Sequence, residues 1–211
     1  MLERLQMIRL TDFDTIIFDF GGVILDIDPD LSRHEFVKML GIDNARRLEE
    51  ERLPQLYETG RIDRAGFVAK INQIAGSNYS ESEILKAWNA MLLNYRQPRI
   101  EWIKRLHSTH RLLLLSNTND SHFEYFHNKL IAEFGVTFYQ LFDHVYLSHE
   151  MGMLKPSHEI FETVIKAQQL DPQRTLFIED TARNAAAAQE VGLQTLLIPR
   201  NGEFYEFFDG F

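Results

Sequence analysis

The chain has 211 residues, 45% of them hydrophobic, enough for one large domain with a proper core or for a domain carrying an insertion. Acidic residues number 31 against 22 basic ones, for a formal net charge of −9. That balance excludes the basic footprint of sequence-independent nucleic-acid binding, and it requires any anion site to bring local positive charge or a metal ion. The absence of cysteine excludes disulfides, thiolate metal sites and cysteine nucleophiles, and fits a reducing, cytoplasmic compartment. No apolar run nears the ~20 residues of a membrane helix. The N-terminal MLERLQMIRL mixes charge among its apolar residues instead of forming a signal-peptide core.

The first predicted strand is TIIFDF (15–20), which carries a carboxylate, Asp19, at its tip and runs into Gly21 and Gly22. The next seventy residues read as several helices with no strand between them. Asp63 is a candidate cap for DRAGFVAKINQIAG, and SESE at 80–83 is a capping-box pattern. Strand and helix then alternate. The strands are RLLLLSN (111–117), HVYLS (144–148), TLFIED (175–180) and QTLLIP (194–199). Most are apolar at both alternating positions, as strands buried on both faces are. Helical patterns cover 96–110, 120–134, 155–170 with Pro156 at the entrance, and 181–192 ending on Gly192. The order predicts an α/β fold: a Rossmann-like, doubly wound parallel sheet in a core of residues 1–28 and 98–211, with a small all-helical cap inserted at 29–97. The aromatic, acidic end NGEFYEFFDGF is expected to pack its rings on the core.

Ligands of open parallel sheets bind beyond the carboxyl ends of the strands. The first strand ends with Asp19, the second with Ser116 and Asn117, and the fourth with Glu179 and Asp180; the third feeds a loop carrying Lys155. Each alone reads as a cap, a turn residue or a solvated charge. Together they are three carboxylates, a hydroxyl, an amide and an ammonium at one edge. Acids so close repel each other unless a hard cation gathers them, and magnesium takes carboxylate, carbonyl and phosphate oxygens. Asp19, Asp180 and a backbone carbonyl near Gly21 are the candidate ligands. Ser116, Asn117 and Lys155 are then free to hydrogen-bond phosphate oxygens. The two glycines let the backbone approach the anion closely.

Four stretches in order, DFGGV from Asp19, LLLLSNT with Ser116, MLKP with Lys155 and FIEDTARN with Glu179 and Asp180, resemble the motifs of the haloacid dehalogenase superfamily. Placing the insertion after the first motif resembles the helical-cap subgroup. DFGGVILDID with LSNTN is most similar to bacterial sugar phosphatases of the glucose-1-phosphatase type. The resemblance implies a magnesium-dependent phosphatase for a small phosphorylated metabolite such as glucose 1-phosphate. In it Asp19 is the nucleophile, and an aspartyl-phosphate is formed and then hydrolysed. Ser116, Asn117 and Lys155 hold the phosphate, and Lys155 also stabilises the reacting oxygens. Asp19, Gly21 and Asp180 hold the metal, with Glu179 one shell out.

One departure stands against many members of the superfamily. The residue two after the nucleophile, often an acid that protonates the leaving group, is Gly21 here. Asp26 and Asp28 are substitutes by proximity, though each alone reads as a loop-turn carboxylate. The alternative function is a catalytically weak or inactive member that binds a phosphorylated ligand or a protein partner. Eight histidines include no HExxH, so a histidine metal site is not expected. His122 and Arg61 are further candidates for substrate contact.

Overall fold

A computed structural model describes residues 7–209. The five predicted strands form one sheet: β1 (Thr15–Phe18), β4 (Arg111–Ser116), β5 (His144–Leu147), β6 (Thr175–Glu179) and β7 (Gln194–Leu197), in the order β5-β4-β1-β6-β7. All four pairings are parallel. Side chains alternate between two cores. Ile16, Phe18, Leu112, Leu114, Leu176 and Ile178 face one, while Ile17, Leu113, Leu115 and Phe177 face the other. Helices cover both faces, so every position of β1 and β6 is buried and the strands need apolar residues throughout.

Helices α1 (Pro29–Leu40), α2 (Ile42–Glu50), α3 (Leu53–Glu58), α4 (Arg64–Ala75) and α5 (Glu81–Asn89) form the inserted block. They share a hydrophobic cluster of their own, in which Tyr57 and Phe67 stack with ring centroids 4.4 Å apart and Trp88 packs against Phe67. The predicted caps are present: the Asp63 side chain accepts from Gly66 N at 2.8 Å, and Ser80 and Glu83 form a reciprocal capping box.

The expectation of a strand-free block is corrected at its end. β3 (Leu92–Tyr95) pairs antiparallel with β2 (Leu25–Ile27), making a two-stranded stalk where the chain leaves and re-enters the core. The pairing shifts register between Leu25 and Ile27 and is partly exposed, so neither strand has the apolar signature of the main sheet.

The remaining helices are α6 (Gln97–Leu106), α7 (Asp120–Phe134), α8 (Phe138–Leu141), α9 (Ser148–Met151), α10 (His158–Gln168) and α11 (Ala182–Glu190). Pro156 lies outside α10, whose N-cap is Ser157; this corrects the expected helix entrance. The C-terminal rings do pack on the core: Phe204 is fully buried 5.4 Å from the Phe18 ring, and Phe208 lies 5.1 Å from Trp102. The last two residues of that tail, Gly210 and Phe211, and the first six residues of the chain lie outside the described residues.

Arg99 of α6 is fully buried and joins the stalk to the tail. Its guanidinium donates to Asp26 at 2.8 Å, to Glu203 at 3.1 Å, and to the carbonyls of Ile24, Asn201 and Gly202. Asp26 also pairs with Arg96 at 2.8 Å. Asp28 accepts from Asp30 N and caps α1. Two guanidiniums hold Asp26 and a helix start occupies Asp28, so neither is arranged as a proton carrier.

Candidate active site

β1 is the central strand, and the chain changes direction in the sheet beside it: β4 and β5 extend one way, β6 and β7 the other. Side chains leaving the ends of β4, β1 and β6 therefore meet at this switch point. Asp19 follows β1, with its backbone N–H on Ile178 O at 2.9 Å. Ser116 ends β4 and Glu179 ends β6, with Asp180 next.

Lys155 closes the group. Its ammonium is buried and donates to Asp19 Oδ1 at 2.6 Å, Glu179 Oε2 at 2.9 Å and Leu115 O at 2.9 Å. Burial lowers the Lys155 pKa, but Asp19 and Glu179 outweigh it and the net direction is upward. Burial and then the Glu179 charge push the Asp19 carboxyl up to about 8, against the pull of Lys155. Glu179 is buried too, yet Lys155 and its other donors hold it low. Burial raises Asp180, opposed by Arg200.

Glu179 is saturated. Oε1 accepts from Asp180 N and Thr181 N, both at 3.1 Å, while Oε2 accepts from Lys155 and from Asn184 Nδ2 at 3.2 Å. Ser116 is 3% exposed, and among the described residues its hydroxyl has no hydrogen-bond partner. Asn117 is placed differently from expectation: Oδ1 accepts from Lys155 N and Nδ2 donates to Lys155 O, both at 2.9 Å. This two-point clamp fixes the lysine loop against the end of β4, and the amide side chain acts through Lys155.

The glycine pair splits into two roles. Gly22 has φ +84°, and a Cβ there would lie 2.4 Å from Asp180 Oδ2, so only glycine lets the turn come this close. Gly21 sits in an open turn whose hydrogen bonds are made by Phe20 and Gly22 on either side of it. A Cβ at Gly21 would meet Ile27 Cδ1 at 3.1 Å, so apolar Ile27 borders the place where an acid would project. Gly22→Ala is expected to cost about 1–2 kcal/mol from backbone conformation alone, and to lower activity further by displacing Asp180. Gly21→Ala is expected to change stability less. Urea unfolding and turnover of both variants check this.

Arg200 and Asn184 were missed at the level of sequence. Arg200 Nε donates to Asp180 Oδ2 at 2.6 Å, and the residue stands just past the end of β7, where the strand-end rule pointed. Asn184 lies one helical turn beyond Asp180 and turns back onto Glu179. His122, a candidate for substrate contact, is buried; its ring stacks on Trp88 at 4.7 Å, and burial pushes its pKa down to about 4. Arg61 is exposed. His107 pairs with Asp143 at 3.3 Å and His110 with Leu10 O at 3.1 Å, so neither faces the other.

The fold and the strand-end acids define an α/β protein with an acidic site at the carboxyl edge of its parallel sheet. The haloacid dehalogenase-like hydrolase family model matches residues 13–192, and the chain belongs to that family. A D-ribitol-5-phosphate phosphatase of Bacteroides thetaiotaomicron is 30% identical over 190 residues, 89% of this chain and 92% of the relative. A sesquiterpene phosphatase of Aspergillus oryzae is 25% identical, covering 87% of this chain and 88% of its own length. A family enzyme of Bacteroides thetaiotaomicron, solved in complex with magnesium and inorganic phosphate, superposes with a TM-score of 0.85 at 28% identity, covering 93% of this chain and 99% of that one. The protein is a phosphatase of this family. No helix among the described residues is long and apolar enough to cross a membrane.

Proposed function

We propose that the protein is a magnesium-dependent phosphomonoester hydrolase for a small phosphorylated metabolite, a sugar or polyol phosphate, working through a phosphoryl group carried on Asp19. The observation that carries this reading is the convergence of Asp19, Glu179 and Asp180, whose ligand oxygens lie within 4.8 Å of one another, around one buried ammonium. Three carboxylates against Lys155 and Arg200 leave one negative charge in a buried place. A site for a phosphate dianion needs that charge balanced, and an all-oxygen donor set fits magnesium.

Asp19, Asp180 and the Gly21 carbonyl would hold the ion, which supplies charge neutralisation for the phosphoryl oxygens. Asp19 Oδ attacks phosphorus and displaces the ester oxygen; water then attacks phosphorus and returns the carboxylate. Lys155 orients Asp19 and, by releasing one of its three present acceptors, donates to a phosphoryl oxygen, while the unpartnered Ser116 hydroxyl donates to another. Glu179 anchors Lys155 and the turn that carries Asp180. The D-ribitol-5-phosphate activity of the Bacteroides relative supports a polyol or sugar phosphate, and glucose 1-phosphate belongs in the same test.

The test is phosphate release from p-nitrophenyl phosphate and a panel of sugar and polyol phosphates, with magnesium and with a chelator. Turnover with magnesium, lost on chelation and restored by its return, is the expected result. Turnover that ignores the chelator contradicts the metal assignment. Phosphoester binding without any turnover would favour the ligand-binding alternative that Gly21 raises.

A further inference from the structure

Arg200 touches a candidate metal ligand, yet the chemistry above gives it no part. It follows Pro199 just past β7, and its Nε donates to Asp180 Oδ2 at 2.6 Å. The Asp180 side chain is 3% exposed and that of Arg200 47%, so the acid lies inside the site and the guanidinium at its mouth. A half-exposed ion pair ordinarily contributes little, because holding a long side chain in one place costs entropy.

This arginine is held by its surroundings. The bare face of Gly22 leaves it room: a Cβ there would lie 3.1 Å from Arg200 Cγ. The next residue ties the turn down. Asn201 N donates to Gly22 O at 2.7 Å. The Asn201 side chain accepts from Ile27 N at 2.9 Å and donates to Ile27 O at 3.1 Å. Its carbonyl accepts from the buried Arg99 at 2.7 Å. A turn anchored on the glycine pair, on the stalk and on α6 therefore presents Arg200 to Asp180. Orientation of that carboxylate has a second, neutral source, since Thr181 Oγ1 donates to Asp180 Oδ1 at 2.9 Å. What Arg200 adds is charge.

The charge decides how the site balances. With the acids ionised, Asp19, Glu179 and Asp180 bring three negative charges, and Lys155 and Arg200 bring two positive ones. A divalent cation takes that sum to one positive charge. Without Arg200 it would reach only zero. A phosphate dianion approaching a chain of net charge −9 is held by such a local surplus. The same guanidinium repels the cation.

We propose that Arg200 sets the charge balance of the site, weakening its hold on the divalent cation and strengthening its hold on the phosphate group. The assignment rests on the phosphatase reading above. Arg200 acts through Asp180 and through the field at the site.

Arg200→Gln and Arg200→Lys test this by titration calorimetry with two probes, magnesium alone and inorganic phosphate at saturating magnesium. Gln keeps a hydrogen-bond donor and loses the charge. It is expected to tighten the magnesium Kd on the order of 10-fold, the weight of one charge acting on a divalent ion across a few ångströms of water-like screening. It is expected to weaken phosphate binding by a similar factor. Lys keeps the charge and holds both Kd values near those of the wild type. In turnover, the Gln variant saturates at lower magnesium and has a higher KM for the phosphoester. A magnesium Kd that is unchanged or weaker in the Gln variant overturns the assignment. Weaker phosphate binding with unchanged magnesium binding does so too, and makes Arg200 a direct substrate contact. So does a Lys variant that shifts as Gln does. If the Gln variant fails to fold, the Lys variant decides alone, and a tenfold departure in either of its Kd values overturns the proposal. These outcomes leave the phosphatase reading standing. A wild-type protein that binds neither magnesium nor phosphate overturns both.

Discussion

Asp19→Asn is expected to reduce turnover of every phosphoester by about 10³-fold or more, while the protein remains folded. Asn has the shape of Asp but neither the charge nor the nucleophilic oxygen pair, and Lys155 keeps Glu179 and Leu115 O as acceptors. A stability measurement separates chemistry from folding. The protein's own groups push the Asp19 carboxyl up to about 8, so its folded pKa lies above its unfolded one. Such a carboxyl stabilises the fold at low pH, and that contribution is lost as pH rises from about 4 toward 8. With chelator present, Asp19→Asn should therefore melt above the wild type at pH 8, and the gap should shrink toward pH 4. An Asn variant that is inactive because it is unfolded would show the opposite.

Lys155→Ala is expected to damage both activity and stability. The ammonium is 1% exposed in its side chain and bridges two carboxylates from different strands. Removing it leaves Asp19 and Glu179 buried without a cation, the kind of loss that costs about 3–5 kcal/mol. One of the two acids then takes up a proton, which also spoils either the nucleophile or the anchor. Losing a charged donor at the reacting oxygens costs a further ~10²–10³ in kcat. Lys155→Arg should not rescue, because a planar fork cannot place one nitrogen within reach of Asp19, Glu179 and Leu115 O together. Urea unfolding and kcat/KM on p-nitrophenyl phosphate measure the two effects. A Lys155→Ala protein with wild-type stability would mean that the carboxylates are balanced by something other than this lysine.

The sheet was legible because its strands are covered on both faces, which forces runs such as RLLLL and TLFI that alternate between two cores. The site residues were legible for a related reason: a carboxylate or hydroxyl at the tip of such a run has no packing role. The stalk was not legible, since LDI and LLNY are short, half-exposed and register-shifted. Arg200 obeys the strand-end rule, but it follows a proline and reads as an ordinary loop charge. The Asn117 side chain looked like a phosphate donor because sequence shows which edge a residue reaches but not which neighbour takes its hydrogen bonds. How the inserted helices dock on the core was not legible either, since contacts such as Ser148 to the Glu58 carbonyl join residues 90 positions apart.

The most direct measurement is to quench the enzyme in acid during turnover of p-nitrophenyl phosphate with magnesium and to map the peptides by mass spectrometry. The account predicts a phosphoryl group on the Asp19 carboxylate, absent from the Asn variant. Continued turnover with Asp19 unmodified, or a phosphoryl group on a different side chain, would contradict it.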